Sequence, residues 1–174
     1  YNFTGTTTDE TNDDIFIIQV PTDWRAFLSD GQLVSELFNL YFASTVPLTS
    51  RIIEVLTSVA LIRRTLWQVE ADRLHVQQLT IEGVVRILQT EHGITDDESH
   101  FLFCRLIDRL KSNHPNSLLL NATCIAALTS FTGKTIASWR ERLNGLHYLL
   151  SFWTKIITST QFNSNGDAED AIYA

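Results

Sequence analysis

The chain has 174 residues, about one domain's worth, with 44% hydrophobic and 19% charged side chains, a balance that excludes intrinsic disorder and can bury a real core. No uninterrupted apolar run approaches the ~18 residues of a membrane span, and the opening TGTTTDETNDD is polar and acidic, unlike a secretory leader. The net charge of −7 is uneven, with −5 over residues 1–30, −3 over residues 161–174 and +1 between them; this excludes a nucleic-acid binder, which needs a clustered basic face, and suits basic protein partners.

Residues 1–30 read as an acidic loop and lead-in. Thr, Asp and Asn compete with the backbone for hydrogen bonds and favour turns. Ile15 to Val20 is a short β-branched run that suits extended chain, ending at Pro21; Thr22 can cap a short turn carrying Trp24, Phe27 and Leu28, with Trp24 as a tucked-in anchor. From Gly31 the helical period takes over. The first stripe is Leu33, Leu37, Leu40 and Tyr41, in a helix ending near Ala43. Ser50 to Trp67 is the second helix, with Ile52, Val55, Leu56, Val59 and Leu66 inward and Arg63 and Arg64 in its last turns. Residues 70–89 form the third, on Leu74, Ile81, Val84, Val85 and Leu88, stopped at His92-Gly93 by a left-handed glycine.

Ser99 to Asn113 is the best-bounded helix. Phe103, Ile107 and Leu110 share one face, extended by His100 and Cys104; Asp96, Asp97 and Glu98 stand at its start, and Pro115 follows its end. Leu118 to Phe131 is the fifth helix, on Leu120, Cys124, Ala127, Leu128 and Phe131, with Gly133 as its stop. Leu143 to Thr160 is the sixth, on Leu146, Leu149, Leu150, Trp153, Ile156 and Ile157. The tail, 161–174, is polar and acidic and reads as flexible.

Six helices with little strand signal make an all-α protein. Paired in order, they give hairpins over 31–67, 70–113 and 117–160, a period of about 46 residues that falls in the range of HEAT and armadillo repeats. The expected architecture is therefore antiparallel helix pairs stacked as a right-handed superhelical solenoid, with a closed six-helix bundle as the alternative. A chain that opens on Tyr1 and holds no methionine reads as a piece of a longer protein.

Little here suggests chemistry. His100 and Cys104 lie one turn apart and could ligate zinc from one face, but no further ligand falls at useful spacing. Cys104 in an apolar stripe reads as an inert buried thiol, like Cys124. His147 reads as a core or boundary histidine. Asp96, Asp97 and Glu98 are explained by capping. The N-x-[ST] matches at Asn2 and Asn121 read as chance, and no phosphate loop, nucleophile elbow or HExxH occurs. No catalytic residue, cofactor or metal is expected.

Five blocks carry a resemblance. GTTTDETNDD followed by VPTDWR, LFNLY at Leu37 to Tyr41, IRRTLW at Ile62 to Trp67, HFLFCRLIDRLKSN at His100 to Asn113 and LHYLLSFW at Leu146 to Trp153 are similar, in the same order, to segments of the exportin-7 family of nuclear transport receptors, in the importin-β superfamily. The match is loose between Asn113 and Trp139 and after Thr160. The resemblance implies HEAT repeats and a receptor that shuttles between nucleus and cytoplasm. Its implied partners are the GTPase Ran in its GTP form, protein cargo and the phenylalanine-glycine nucleoporins; neither nucleic acid nor membrane is implied. The acidic residues Asp9, Glu10, Asp13 and Asp14 are the candidate contact for a basic partner, against a plain reading as a solvated loop. A generic helical-repeat scaffold without Ran binding is the alternative function.

Overall fold

The computed structural model describes residues 21–29, 31–62, 67–90, 93–94 and 96–170. The expected loop over residues 1–20, including Asp9, Glu10, Asp13, Asp14 and the extended run from Ile15, lies outside the described residues, as do Arg63, Arg64 and Leu66. The described elements are all helical. After a 3-10 turn at Thr22–Trp24 come α1 (Arg25–Ser29), α2 (Gln32–Ala43), α3 (Leu48–Ala60), α4 (Glu70–Gln89), α5 (Asp97–Asn113), α6 (Asn116–Leu119), α7 (Ala122–Ala137) and α8 (Leu143–Asp170).

The helices sort into two layers. In one, α4 packs between α2 and α7; in the other, α5 packs between α3 and α8, its most extensive contacts. The layers are joined by α2 against α3 at one end and α7 against α8 at the other. This packing is consistent with a helical repeat. The core runs through it as one cluster from Val34 and Phe38 to Phe152 and Ile156.

Helix α5 sits at the centre because its sequence leaves few sides to water. Leu102, Phe103, Cys104, Leu106, Ile107 and Leu110 are all buried, as is His100, so apolar side chains cover far more than a single 100° stripe. Its start is fixed as expected: the Asp96 carboxylate accepts from the Ser99 N–H at 2.8 Å, and Asp97 and Glu98 occupy the positive end of the helix dipole. The close approach of α8 to α5 requires Gly145, where a Cβ would stand 2.9 Å from the His100 ring. The close approach of α2 to α4 requires Gly83, on which the Phe38 ring lies. Asp108, buried on α5, receives the Lys155 ammonium of α8 at 3.1 Å. That pair links the two helices and gives the buried carboxylate its cation.

Several boundaries differ from expectation. Helix α3 ends at Ala60, well before Trp67. Gly93 does not cap α4 in a left-handed conformation; extended Thr90 ends the helix, and the one described glycine at positive φ is Gly31, the N-cap of α2. The fifth helix is two: after α6, the Asn121 side-chain Oδ1 accepts from the Cys124 N–H at 2.9 Å and starts α7. Leu120 is consequently exposed rather than inward. Gly133 lies inside α7 and does not stop it. Helix α8 continues past Thr160 to Asp170.

Trp24 and Phe27 are also not tucked in. Both are exposed, and of these three side chains Leu28 is the buried one, against Ile62, Leu33 and Trp67. A five-residue helix presents only one inward position per turn, and Leu28 takes it.

Candidate functional site

The residues that looked reactive in the sequence are spent on structure. His100 is buried between α5 and α7, its Nε2 2.9 Å from the Thr135 hydroxyl and its ring 5.2 Å from that of Phe131. Burial, aided by the positive charge of Arg142, pushes its pKa down to about 4, while Asp97 opposes. Cys104 lies against it, Sγ to Nδ1 3.7 Å. Burial pushes the Cys104 thiol up to about 12, so a neutral imidazole faces a protonated thiol. Such a pair has no thiolate to attack with. Cys124 is likewise a free buried thiol, pushed up to about 11 by burial.

Asp96, Asp97 and Glu98 do not converge on a site. Asp96 caps α5, and Asp97 lies 3.8 Å from Arg142 in an exposed pair. No group of three or more His, Cys, Asp or Glu among the described residues could hold a metal. His147 is exposed, a boundary position no deeper than the surface, with its ring against Tyr148. No helix among the described residues is long and apolar enough to cross a membrane.

What the structure offers instead is surface. The outer pairs carry most of the exposed large apolar side chains: Leu40, Leu48 and Val55 on α2 and α3, and Ile136, Leu143, Leu150 and Ile157 on α7 and α8, with Trp139 in the turn between. Helix α5, flanked on both sides, exposes none. The sequence stripes had placed Leu40, Val55, Leu150 and Ile157 inward. Leu74 of α4, also read as inward, is exposed, and its neighbour Val76 is buried. A second surface feature is a crevice lined by Tyr41, Phe42, Val46, Thr49 and Ser99. The Tyr41 hydroxyl donates to the Gly93 carbonyl at 2.5 Å beside it, and Arg86 lies 4.1 Å over the Phe42 ring. The acidic candidates Asp9, Glu10, Asp13 and Asp14 fall outside the described residues, and no geometry joins them to either feature.

The comparisons with known proteins place the chain beside proteins named for transport and for Ran binding. Exportin-7-B of Xenopus laevis is 32% identical over 166 residues, which is 93% of this chain and 15% of that protein. Ran-binding protein 16 of Drosophila melanogaster is 33% identical over 171 residues, 96% of this chain and 16% of the relative. This chain is related to one stretch of the exportin-7 proteins. More distant similarity, 26% identity over 165 residues, extends to Exportin-7 of Dictyostelium discoideum. The chain thus spans about a sixth of the length of the curated relatives it matches. No family model and no solved structure matches it.

The two missed signals in the sequence are instructive. Asn121 was weighed as a glycosylation match, whereas its side chain is a helix cap that also donates to the Leu118 carbonyl at 2.7 Å. The Asn three residues before a buried Cys124 was the available clue. The split apolar faces of α2, α3 and α8 carried a second signal, since each offers two candidate stripes one residue apart.

Proposed function

We propose that this chain is a segment of a nuclear transport receptor that carries protein cargo through the nuclear pore under the control of Ran. The observation that supports it best is similarity along nearly the whole chain to proteins named exportin-7 and Ran-binding protein 16. The two-layer packing and the apolar side chains left on the outer pairs support a right-handed superhelical solenoid, in which the units 31–67, 70–113 and 117–160 are consecutive repeats and further pairs cover both ends. The acidic segments 1–30 and 161–174 flank that stack.

The receptor makes and breaks no bond. Small rotations between repeats sum to a change of curvature, and Ran in its GTP form and cargo each favour one curvature, so the two bindings are coupled. Basic surface on a partner matches Asp9, Glu10, Asp13 and Asp14, and phenylalanine-glycine nucleoporins supply passage through the pore. The receptor therefore shuttles between nucleus and cytoplasm. A pull-down of the full-length protein with Ran locked in its GTP or GDP form tests the reading. Selective capture of the GTP form is expected; capture of neither, with the protein folded, favours a helical-repeat scaffold without Ran binding. The helix stack taken alone is what supports that second reading. Charge reversal of the four acidic residues is expected to weaken partner binding, most strongly at low salt.

A further inference from the structure

We infer that the crevice where α3, α4 and α5 meet is a binding site for an internal water molecule, held between the side-chain carbonyl of Gln77 and the imidazole of His114. About 30 Å³ there is open to a water-sized molecule, bounded by Arg73, Val76 and Asn113 as well as those two side chains, with Trp67 at its edge. That space accommodates one or two waters.

The polar groups define the ligand. His114 and Gln77 are 5% and 8% exposed, yet neither ring nitrogen of His114 nor Oε1 of Gln77 makes a well-formed hydrogen bond. The orientation of the Gln77 amide is fixed, because its Nε2 donates to the Asn113 carbonyl at 2.5 Å. Turning the amide over would set oxygen against oxygen. Asn113 is itself fixed, its Nδ2 donating to the Ala60 carbonyl at 2.8 Å. Gln77 Oε1 therefore needs a donor from the crevice, and a neutral imidazole needs both a donor and an acceptor.

Water supplies both roles. An unprotonated anion cannot donate to Oε1, and a cation finds no carboxylate among the described lining residues. Burial above all holds His114 neutral; the Leu110 carbonyl opposes it, and the smaller effect of the Arg73 charge adds to it. An apolar molecule would leave every one of these atoms unpaired. The bound water completes a hydrogen-bonded joint running from the end of α3 through the end of α5 to the middle of α4.

The test is a map of the intact protein at a resolution that shows ordered solvent. A peak within hydrogen-bonding distance of both Gln77 Oε1 and a His114 ring nitrogen is expected. A crevice without such a peak, or one in which another protein group pairs these atoms, overturns the proposal. In solution, the His114 ring protons are expected to show cross-relaxation with a long-lived water in the wild-type protein; its absence in a folded sample also counts against the site. Gln77→Leu, if folded, is expected to lose the peak, and a peak unchanged in that variant refutes the bridge.

Discussion

At the scale of single residues, two glycines of similar helical setting predict opposite outcomes. Gly83→Ala would drive a methyl into the Phe38 ring, which is buried and has little room to turn. Overpacking of that kind costs about 1–3 kcal/mol, more than the ~1 kcal/mol that alanine's helix propensity returns. Gly133→Ala meets nothing within 4 Å, so the propensity gain of about 0.5–1 kcal/mol stands alone. Chemical denaturation of both variants should show one midpoint falling and the other rising. The thiols give a third outcome. Cys104 and Cys124 are buried with raised pKa values, so a thiol reagent at neutral pH should label neither until the chain unfolds. Rapid labelling of native protein would contradict the inert reading. Sequence showed these two as core thiols because apolar neighbours surround them; it could not show that Thr135 would meet His100, because α7 contributes that hydroxyl from across the core.

At the scale of elements, α5 and its neighbours carry the stability that can be dissected. Lys155→Met would leave Asp108 buried without its cation; because the lysine is one-third exposed, the cost is below that of a fully buried pair, about 1–3 kcal/mol. The loss is expected to be smaller in the double variant with Asp108→Asn, and a double-mutant cycle measures the coupling. The two buried histidines give α5 and its C-terminal cap a defined pH response. Both His100 and His114 are depressed from 6.5 to about 4 in the folded chain. Between those values the unfolded chain binds more protons, so stability is complete above about pH 6.5, falls as pH drops toward 4 and falls no further below it on their account. Denaturation midpoints measured across that window should flatten in His114→Gln relative to wild type.

Element boundaries show why some helices were legible and others were not. Both ends of α5 are written locally, in Asp96, Asp97 and Glu98 before it and Pro115 after it, and both were placed to within two residues. Helix α3 ends at Ala60 without a glycine or proline to mark it. The apolar run through Ile62 continues because Ile62 belongs to the small second cluster with Leu28, not because the helix does. Gly133 looked like a stop, but glycine ends a helix only where the chain turns left-handed, and here the chain continues in α7.

At the scale of the whole molecule, the outer pairs predict behaviour that the isolated helices do not. Leu150 and Ile157 on α8 are each more than half exposed. In the 174-residue chain, replacing both with serine is expected to reduce self-association measured by light scattering, since apolar patches of this kind drive it. In the full-length protein the same change is expected to lower thermal stability, because a further helix pair would cover that face. An intact protein indifferent to the change would count against a continuing solenoid.

The sequence by itself determined the helical class, the number of long helices, the core face of α5 and the relationship to exportin-7 proteins. Those depend on the apolar period, on cap residues and on the order of short blocks, all local along the chain. Only the tertiary structure decided which of two adjacent stripes is buried in α2, α3 and α8. The sequence stripe of α2 runs through Leu33, Leu37, Leu40 and Tyr41, of which Tyr41 is buried, with Val34 and Phe38 in place of Leu40; in α8, Phe152 is buried and Leu150 is not. A helix with apolar residues at both phases has no internal preference between them. The choice is made by the neighbour that packs on it, α4 for α2 and α5 for both α3 and α8, and period alone says nothing about where that neighbour stands.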